Sequence, residues 1–560
     1  MTLLLTIQIS SQKKLYGTLY NMAQPQQNIH IAAPGFAGLN TQDSPVGLPI
    51  EFAAQADNCV IDRHGRVASR EGFKAYTENH SDITLPVEVV QEFIQENGTE
   101  WLLACTDGKI WTQEIGGNKE LTALTGHAGT ATDNNWQLVP FNDQCICVQS
   151  GEIPKVFDPA TSTSVLQTFT AVPSGALYPN CATAAFGHMW LADFDDDKSI
   201  LFWSVLMDGD DFTGSGTGSI DLKEHWPSGY DRVVAIAAHN NFMVVFGSRS
   251  ILLFEVPETG PVNMVLVDAI EGIGCIARDS VQHIGTDIYF LDITGVRTLN
   301  RTIQEKSIPV GDISRNVRTD IREHLASVSD HSTIKSAYQG DRSFYTLFIP
   351  SRSIVYVFDT RGLLENGAAR TTVWPTSTVQ CASKSISGAH YYAGSGGVYE
   401  YFDGDDEIIE VVDAVDVRVT YPIAMKYYTH PQVFDSPANL KFPKQVDITT
   451  FGSTTFTLNL RWAYDYSTDF DNLILVDVSG DDQIFEYNAD LASPTYAEFT
   501  GSVGGGVDAE YTGSEVALSS HRLNIWGSGT NVTFGFEANV YGTQFSIQEI
   551  NIQALVGRLL

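Results

Sequence analysis

The chain has 560 residues, 43% of them hydrophobic, and a mean hydropathy of −0.07, enough to bury a large core. Lys and Arg number 33 against 67 Asp and Glu, a formal net charge of −34. A surface so acidic repels phosphates and gains little from counterion release, which excludes a tight nucleic-acid binder. No apolar run approaches the length of a membrane-spanning helix.

In chain order, the first segment "MTLLLTIQISSQKKLYGTLYNMAQPQQ" starts apolar but carries no charged region before that run and no small-residue cleavage site after it, so it does not read as a signal peptide. Met22 opens "MAQPQQNIHIAAPGF", which reads as a more natural start; residues 1–21 are expected to be an extension or a misassigned start, and residues 1–28 are set apart from the fold. Residues 29–80 read as an arm that joins a platform and helps close the following domain.

From residue 81 to 405 a pattern recurs. Runs beginning at Glu100, Trp136, Ala182, Val234, Asp279, Lys335 and Ser385 each combine a strand, a small polar turn, a very apolar strand, a second turn and a further strand. Their starts lie roughly 35 to 57 residues apart, near the length of a four-stranded propeller blade. Such a meander cannot bury both faces alone, whereas radial packing covers them and leaves short edges. The expected fold is all-β: a propeller of six or seven blades, one completed by a strand from elsewhere. A single helix is expected within Gly311–Ser327, where Ile313, Val317, Ile321 and Leu325 recur every four residues and Ser314 or Asp312 would cap it.

After "FDGDDEIIE" the rhythm changes. "LKFPKQVDITTFGSTTFTLNLRWAYDYS" gives two long alternating strands around a Gly-Ser turn, hairpin patterning, and "HRLNIWGSGTNVTFGFEANVYGTQFSIQEINIQALVGRLL" gives three or four more. Residues 406–560 are therefore expected to form a sandwich-like β domain. Within it, 474–520 is polar and contains Gly504, Gly505 and Gly506, a candidate gate or partner-contacting loop.

The candidate chemistry starts with "ADFDDDKSILFWSVLMDGDDF", Ala192–Phe212, where six aspartates flank one apolar run. A helix–loop–helix calcium site needs a fixed order of acids and glycine and a glutamate at the twelfth position; neither this stretch nor Asp403-Gly-Asp-Asp-Glu supplies it. Asp and Gly also favour tight turns, so Ile200–Met207 is expected to be one buried strand with aspartate turns at its ends. A glycosidase propeller would place two carboxylates at the central mouth. The nearest piece to the aspartate box of sialidases, "CTDGKIW", has the wrong spacing and does not recur. The 13 histidines include no HxH or HExxH pair; "GSGTGS" follows no strand-to-helix pattern, and the nucleophile elbow G-x-S-x-G is absent. No catalytic, metal or cofactor set emerges. The seven cysteines are scattered without a CxxC, and Cys145 and Cys147 fall on one strand face, the pattern of buried free thiols. Arg315, Arg318 and Arg322 form a basic stripe on the helix, either a solvated face or a subunit interface in an acidic assembly.

Three segments carry a resemblance. "IHIAAPGFAGLNTQDSPVGLPIEFAAQADNCVIDRHGRVASREGF" (Ile29–Phe73), "HMWLADFDDDKSILFWSVLMDGDDFTGSGTGSIDL" (His188–Leu222) and "FSIQEINIQALVGRL" (Phe545–Leu559) resemble the opening, central and C-terminal segments of the tail nozzle, or tail tubular protein B, family of short-tailed bacteriophages. The resemblance implies a non-enzymatic protein of the virion tail, assembled in the bacterial cytoplasm as a homohexameric ring. Its platform would dock to the head-to-tail adaptor ring, its tip would meet a fibre, spike or tip protein, and double-stranded genomic DNA would pass through without sequence-specific contact. The alternative class is a propeller that binds or hydrolyses carbohydrate.

Overall fold

In a computed structural model the described residues are 26–77, 83–126, 134–172, 178–305, 312–383, 386–402, 404–412, 415–434, 437–452, 456–478, 517–542 and 545–557. They form a seven-bladed β-propeller joined to a β-sandwich.

Local sequence makes the blades. In blade one Glu100–Thr106 and Lys109–Glu114 meet across Asp107-Gly108, both at positive φ, the conformation a two-residue turn needs to match strand twist. That turn joins the second and third strands of blade one; two-residue turns, each with its first residue at positive φ, join the first two strands of blades two (Asn142-Asp143), three (Phe186-Gly187), four (Asn240-Asn241) and five (Gly285-Thr286). The second strand of each blade is buried on both faces: His188–Phe194 and Phe344–Ile349 are buried at every position. That explains why these stretches are uniformly apolar and not alternating.

Blades one to four are antiparallel four-stranded sheets whose innermost strands are Val89–Ile94, Gln137–Phe141, Pro179–Ala185 and Val233–His239. Blade five has three strands (Gln282–Ile284, Asp287–Asp292, Gly295–Thr298), and a helix the sequence does not announce, Leu299–Glu305, packs on them. Blade six runs from Lys335–Gln339 to Ala369–Pro375. Blade seven takes Val379–Ala382, Tyr391–Gly394 and Gly397–Phe402, and its fourth strand is Gly72–Ala75, which precedes blade one in the chain. The seven recurring runs fall one to a blade, so the count is seven. The innermost strands of blades seven and one touch, closing the ring.

Gly72–Ala75 fastens that closure with a dense aromatic cluster. Phe73 is fully buried, with ring centroids 5.2 Å from Tyr392, 5.6 Å from Tyr401 and 6.0 Å from Trp374. Next to it buried Arg70 forms a two-pronged pair with Asp406, and Arg342 reaches Glu71 at 2.6 Å.

The sandwich draws on both ends of the chain. One sheet holds Gln26–Ala32, Cys59–Ile61, Val67–Ser69, Lys441–Gly452, Ala517–Asn524 and Ser546–Val556. The other holds Phe52–Asp57, Ile423–Thr429, Val532–Val540, Phe456–Tyr464 and Asn472–Val478, and it is continuous with blade six: Ala369–Pro375 pairs with Gly38–Leu39 and Phe52–Asp57, making a sheet of ten strands. Between the sheets lies a core that includes Met425, Tyr427, Ile448, Trp462, Phe534 and Ile550.

Four expectations change. Strand Gln26–Ala32 begins inside the segment set apart as an extension; it pairs along its whole length with Ser546–Val556. Asp406–Val412 and Val415–Tyr421 belong to the propeller side and extend blade seven through a parallel contact with Gly72–Ala75. The two long strands around the Gly-Ser turn are not a hairpin: Lys441–Gly452 lies in one sheet and Phe456–Tyr464 in the other. Each has one apolar face turned to the same core, and alternation looks the same whether two strands pair or face each other. Finally, the helical span divides into a short tight turn, Arg315–Val317, and the helix Arg318–Ala326. Its four apolar residues are buried as expected, but neither Ser314 nor Asp312 caps it by side chain: Ser314 Oγ accepts from Val296 N at 2.9 Å, and Asp312 pairs with Arg318 at 2.8 Å.

Candidate functional site: an axial polar hub

The innermost strands all run the same way along the propeller axis, so the residues at their starts meet at one end. Arg278 lies just before the inner strand of blade five and is buried. Its guanidinium crosses the axis, donating to Asn180 of blade three (Oδ1 at 2.9 Å, carbonyl at 2.7 Å) and to Asn135, ahead of blade two (Oδ1 at 3.0 Å, carbonyl at 3.2 Å). It also grips its neighbour Asp279 with two bonds of 2.9 and 2.8 Å. From blade six the buried ammonium of Lys335 donates to Asp279 at 2.5 Å and to Asn135 Oδ1. Ser336 Oγ donates to the Asp279 carbonyl at 2.7 Å. Six side chains thus tie together blades two, three, five and six.

The electrostatics follow from that contact set. Burial alone would raise the Asp279 carboxyl, but Arg278 and Lys335 outweigh it and hold the group well below the ordinary carboxylate range. Burial also works against the charge of Arg278, and Asp279 more than restores it. Below the hub a cavity of about 400 Å³ is lined by inner-strand residues, among them Leu138, Ala182, Ala237 and His283; above it a second, of about 280 Å³, is bordered by Arg232 and His331. Every donor on Arg278 meets an acceptor within the protein, so the hub can orient blades and block the axis.

This hub was not anticipated from the sequence. Its signal is a recurring polar residue at the start of the inner strand: Glu88, Asn135, Asn180, Arg232, Arg278 and Lys335 hold comparable positions in blades one to six.

The acid-rich stretch resolves into clasps between blades. Asp195 accepts from Ser150 Oγ and Gly151 N of blade two, both at 2.7 Å, and pairs with Lys198 at 3.0 Å. Asp210 accepts from Thr170 Oγ at 2.8 Å and Thr170 N at 3.2 Å. Asp211 closes a local turn through Thr213 and Gly214. Burial pulls Asp195 upward, but its bonds to Ser150, Lys198 and Gly151 win and its pKa is lowered. The strand between the acids is shorter than expected: it is Ile200–Trp203, and Leu206 and Met207 are exposed in the following turn. Among the described residues no group of three His, Cys, Asp or Glu side chains is placed to hold a metal ion.

The arginine stripe is not a uniform face. Arg318 is paired with Asp312, Arg315 donates to the Asn366 carbonyl at 3.3 Å, and Arg322 alone is exposed. Gly504, Gly505 and Gly506 lie outside the described residues. All seven cysteines are buried free thiols; Cys105, Cys145 and Cys147 pack together between blades one and two. Among the described residues no helix is long and apolar enough to cross a membrane.

Fold and hub define a β-propeller locked at its axis and built into a β-sandwich. No family model matches the chain, and no curated protein matches it. Solved structures do. The β-propeller domain of Cps50 (Swd1) from Myceliophteria thermophila is 9% identical, with 60% of this chain and 98% of that one covered and a TM-score of 0.36. A streptogramin B lyase is 10% identical, with 59% and 97% covered and a TM-score of 0.35. The likeness is one of propeller fold.

Proposed function

We propose that this chain is a structural subunit of a closed ring, the tail nozzle of a short-tailed bacteriophage, which retains the genome and then releases it. The observation that carries the proposal is the ten-stranded sheet. It makes blade six and one wall of the sandwich a single hydrogen-bonded body, so load applied to the sandwich passes to the propeller without a hinge. Such coupling suits a part that transmits force between a docking platform and a tube. The sandwich is the part proposed to meet the head-side adaptor ring, and the propeller the part proposed to face the tip.

DNA would pass between subunits and not along the propeller axis, because the hub crosses that axis and the cavity beneath it, about 400 Å³, is far too small for a duplex. An acidic bore repels phosphates and offers a moving duplex few places to stick. The test is native mass spectrometry of the purified chain, with electron microscopy of the same sample. A species near six times 61.3 kDa with a central opening is expected; a monomer at every concentration overturns the proposal, and so does clear turnover of a glycan.

A further inference from the structure

The two sheets of the sandwich face each other across an apolar core, and at one place their backbones meet. Lys441 opens the strand Lys441–Gly452 of one sheet, and Asn531 immediately precedes Val532–Val540 of the other. Lys441 N donates to the Gly529 carbonyl at 2.7 Å, and Gly529 N to the Lys441 carbonyl at 3.2 Å. Gly529 has no side chain to obstruct the lysine, whose Nζ reaches the next peptide and donates to the Thr530 carbonyl at 2.5 Å. That carbonyl belongs to the peptide bond leading into Asn531.

Both residues are enclosed: Lys441 is fully buried and Asn531 is 1% exposed. Lysine is rarely so placed, because its ammonium loses its hydration there. Burial pushes the Lys441 pKa down, with the Asp465 carboxylate acting the other way. A lysine shifted in that direction holds more of the neutral amine, the form that attacks a carbonyl.

The Asn531 amide is held as acyl transfer requires. Tyr466 N donates to Asn531 Oδ1 at 3.2 Å, where negative charge gathers when a nucleophile adds to Cγ. Asn531 Nδ2 donates to Thr530 Oγ at 3.4 Å, and that hydroxyl donates to Asp465 Oδ1 at 2.7 Å. Thr530 N fixes the same carboxylate oxygen at 2.6 Å. Amide nitrogen, hydroxyl and carboxylate thus form one hydrogen-bonded chain. Asp465 and Tyr466 stand at φ of 54° and 61°, a conformation that costs free energy in a residue other than glycine and that recurs at functional sites.

We infer that Lys441 and Asn531 become joined by an isopeptide bond, Lys441 Nζ adding to Asn531 Cγ while Nδ2 leaves as ammonia. The Nζ–Cγ bond forms and the Cγ–Nδ2 bond breaks. One proton passes from Nζ to Asp465 and returns through Thr530 Oγ to the departing nitrogen, so nothing is oxidised or reduced and no co-reactant is needed. The product is an amide that fastens the ten-stranded sheet covalently to the sheet facing it. The inference stands whether or not copies of the chain assemble into a ring.

The test is the intact mass of the full chain under denaturing conditions, followed by peptide mapping. Wild type should be lighter than its own sequence by one ammonia, and digestion should release a branched peptide in which Lys441 is linked to Asn531. Lys441→Arg and Asn531→Ala should each keep the full mass of their sequences. Freshly purified Asp465→Asn should do so too, losing ammonia at least about a hundredfold more slowly than wild type. A wild-type chain with its full sequence mass overturns the bond and leaves Lys441 as a hydrogen-bonded tie. A loss of ammonia that persists in Lys441→Arg overturns it as well, since it would come from cyclisation at an asparagine elsewhere.

Discussion

Asp279 is the most exacting position in the hub. Its side chain is 18% exposed, and it neutralises two cations that are buried more deeply: Arg278 at 2.8 Å, 5% exposed, and Lys335 at 2.5 Å, 7% exposed. Asp279→Ala leaves both without their counter-charge, and breaking a buried pair by removing one partner costs about 3–5 kcal/mol. With an unfolding entropy of about 2.1 cal/mol/K per residue over roughly 330 propeller residues, a loss of ~4 kcal/mol lowers Tm by about 6 °C. The pH dependence has a definite sign. The folded carboxyl is held below its unfolded value of about 3.9, so its contribution is fully present above that pH and is lost as pH falls towards the folded value. Calorimetry from pH 8 down to about 3 should therefore show a constant deficit for the variant that narrows only below about pH 4. Replacing the charged set together, Arg278→Met, Asp279→Leu and Lys335→Met, should recover most of the loss, since an apolar substitute for a buried ionic cluster is often neutral. A single variant that melts within 1 °C of wild type, or a deficit that does not change in acid, would refute the view that the hub is held by charge.

Two further substitutions probe closure and close approach. Phe73→Ala empties the centre of the aromatic cluster on the closing strand and should cost about 3–5 kcal/mol; it should also speed tryptic cleavage at Arg70 and Lys74, and an unchanged digestion pattern would show that closure does not depend on this ring. Gly274→Ala would bring a Cβ to 2.4 Å from the Ser248 carbonyl carbon and 2.5 Å from Arg249 N, a backbone clash costing about 1–3 kcal/mol. Gly98→Ala has open space and only its φ of +84° against it, so denaturant melts should rank Gly274→Ala as the more damaging of the two.

The blade rhythm was legible because most blades repeat a local device, an apolar strand bounded by Asn, Asp or Gly at positive φ, with Ser343 and Ser353 in those places in blade six. The number of blades became definite only with Gly72–Ala75, a strand whose partner Gly397–Phe402 lies more than three hundred residues further on. Its four residues, Gly-Phe-Lys-Ala, look like any short strand. The arch between Lys441–Gly452 and Phe456–Tyr464 was misread for a general reason: periodicity reports which face is buried and says nothing of which strand lies alongside. The strand beginning at Ile200 was expected to run to Met207 because its apolar residues continue. It leaves the ladder after Ser204, where Val205 N turns to the Asp211 carbonyl and Met207 N to that of Gly187. The hub was hidden because its members come from four blades, and each alone is an ordinary polar residue at the start of a strand.

The acid content gains a second meaning from the same contacts. Apart from isolated backbone bridges such as Thr125–Val165 and Ala171–Asp211, the sheets of blades one to four have separate ladders, so these blades adhere mainly through side-chain packing and through groups that reach across. Carboxylates do much of that reaching. Asp143 accepts from Glu96 N at 2.6 Å, linking blades two and one; Asp195 and Asp210 link three to two; buried Glu92 of blade one accepts from Ile386 N at 2.6 Å and from Ser387 N, in blade seven. A carboxylate is suited to this because it accepts from several backbone N–H groups at once, and charge-assisted bonds exceed neutral ones. The same bonds favour the ionised form. Asp107, Asp195 and Asp197 are pulled upward by burial, yet all are held below the ordinary carboxylate range by their hydrogen bonds. A general acid needs the opposite shift. Within the acid-rich stretch Asp193, by burial, and Asp208, by burial and its neighbour Asp210, do shift upward, so the fastening role of Asp195 and Asp210 rests on the bonds they make across the blade boundary and not on the direction of a shift.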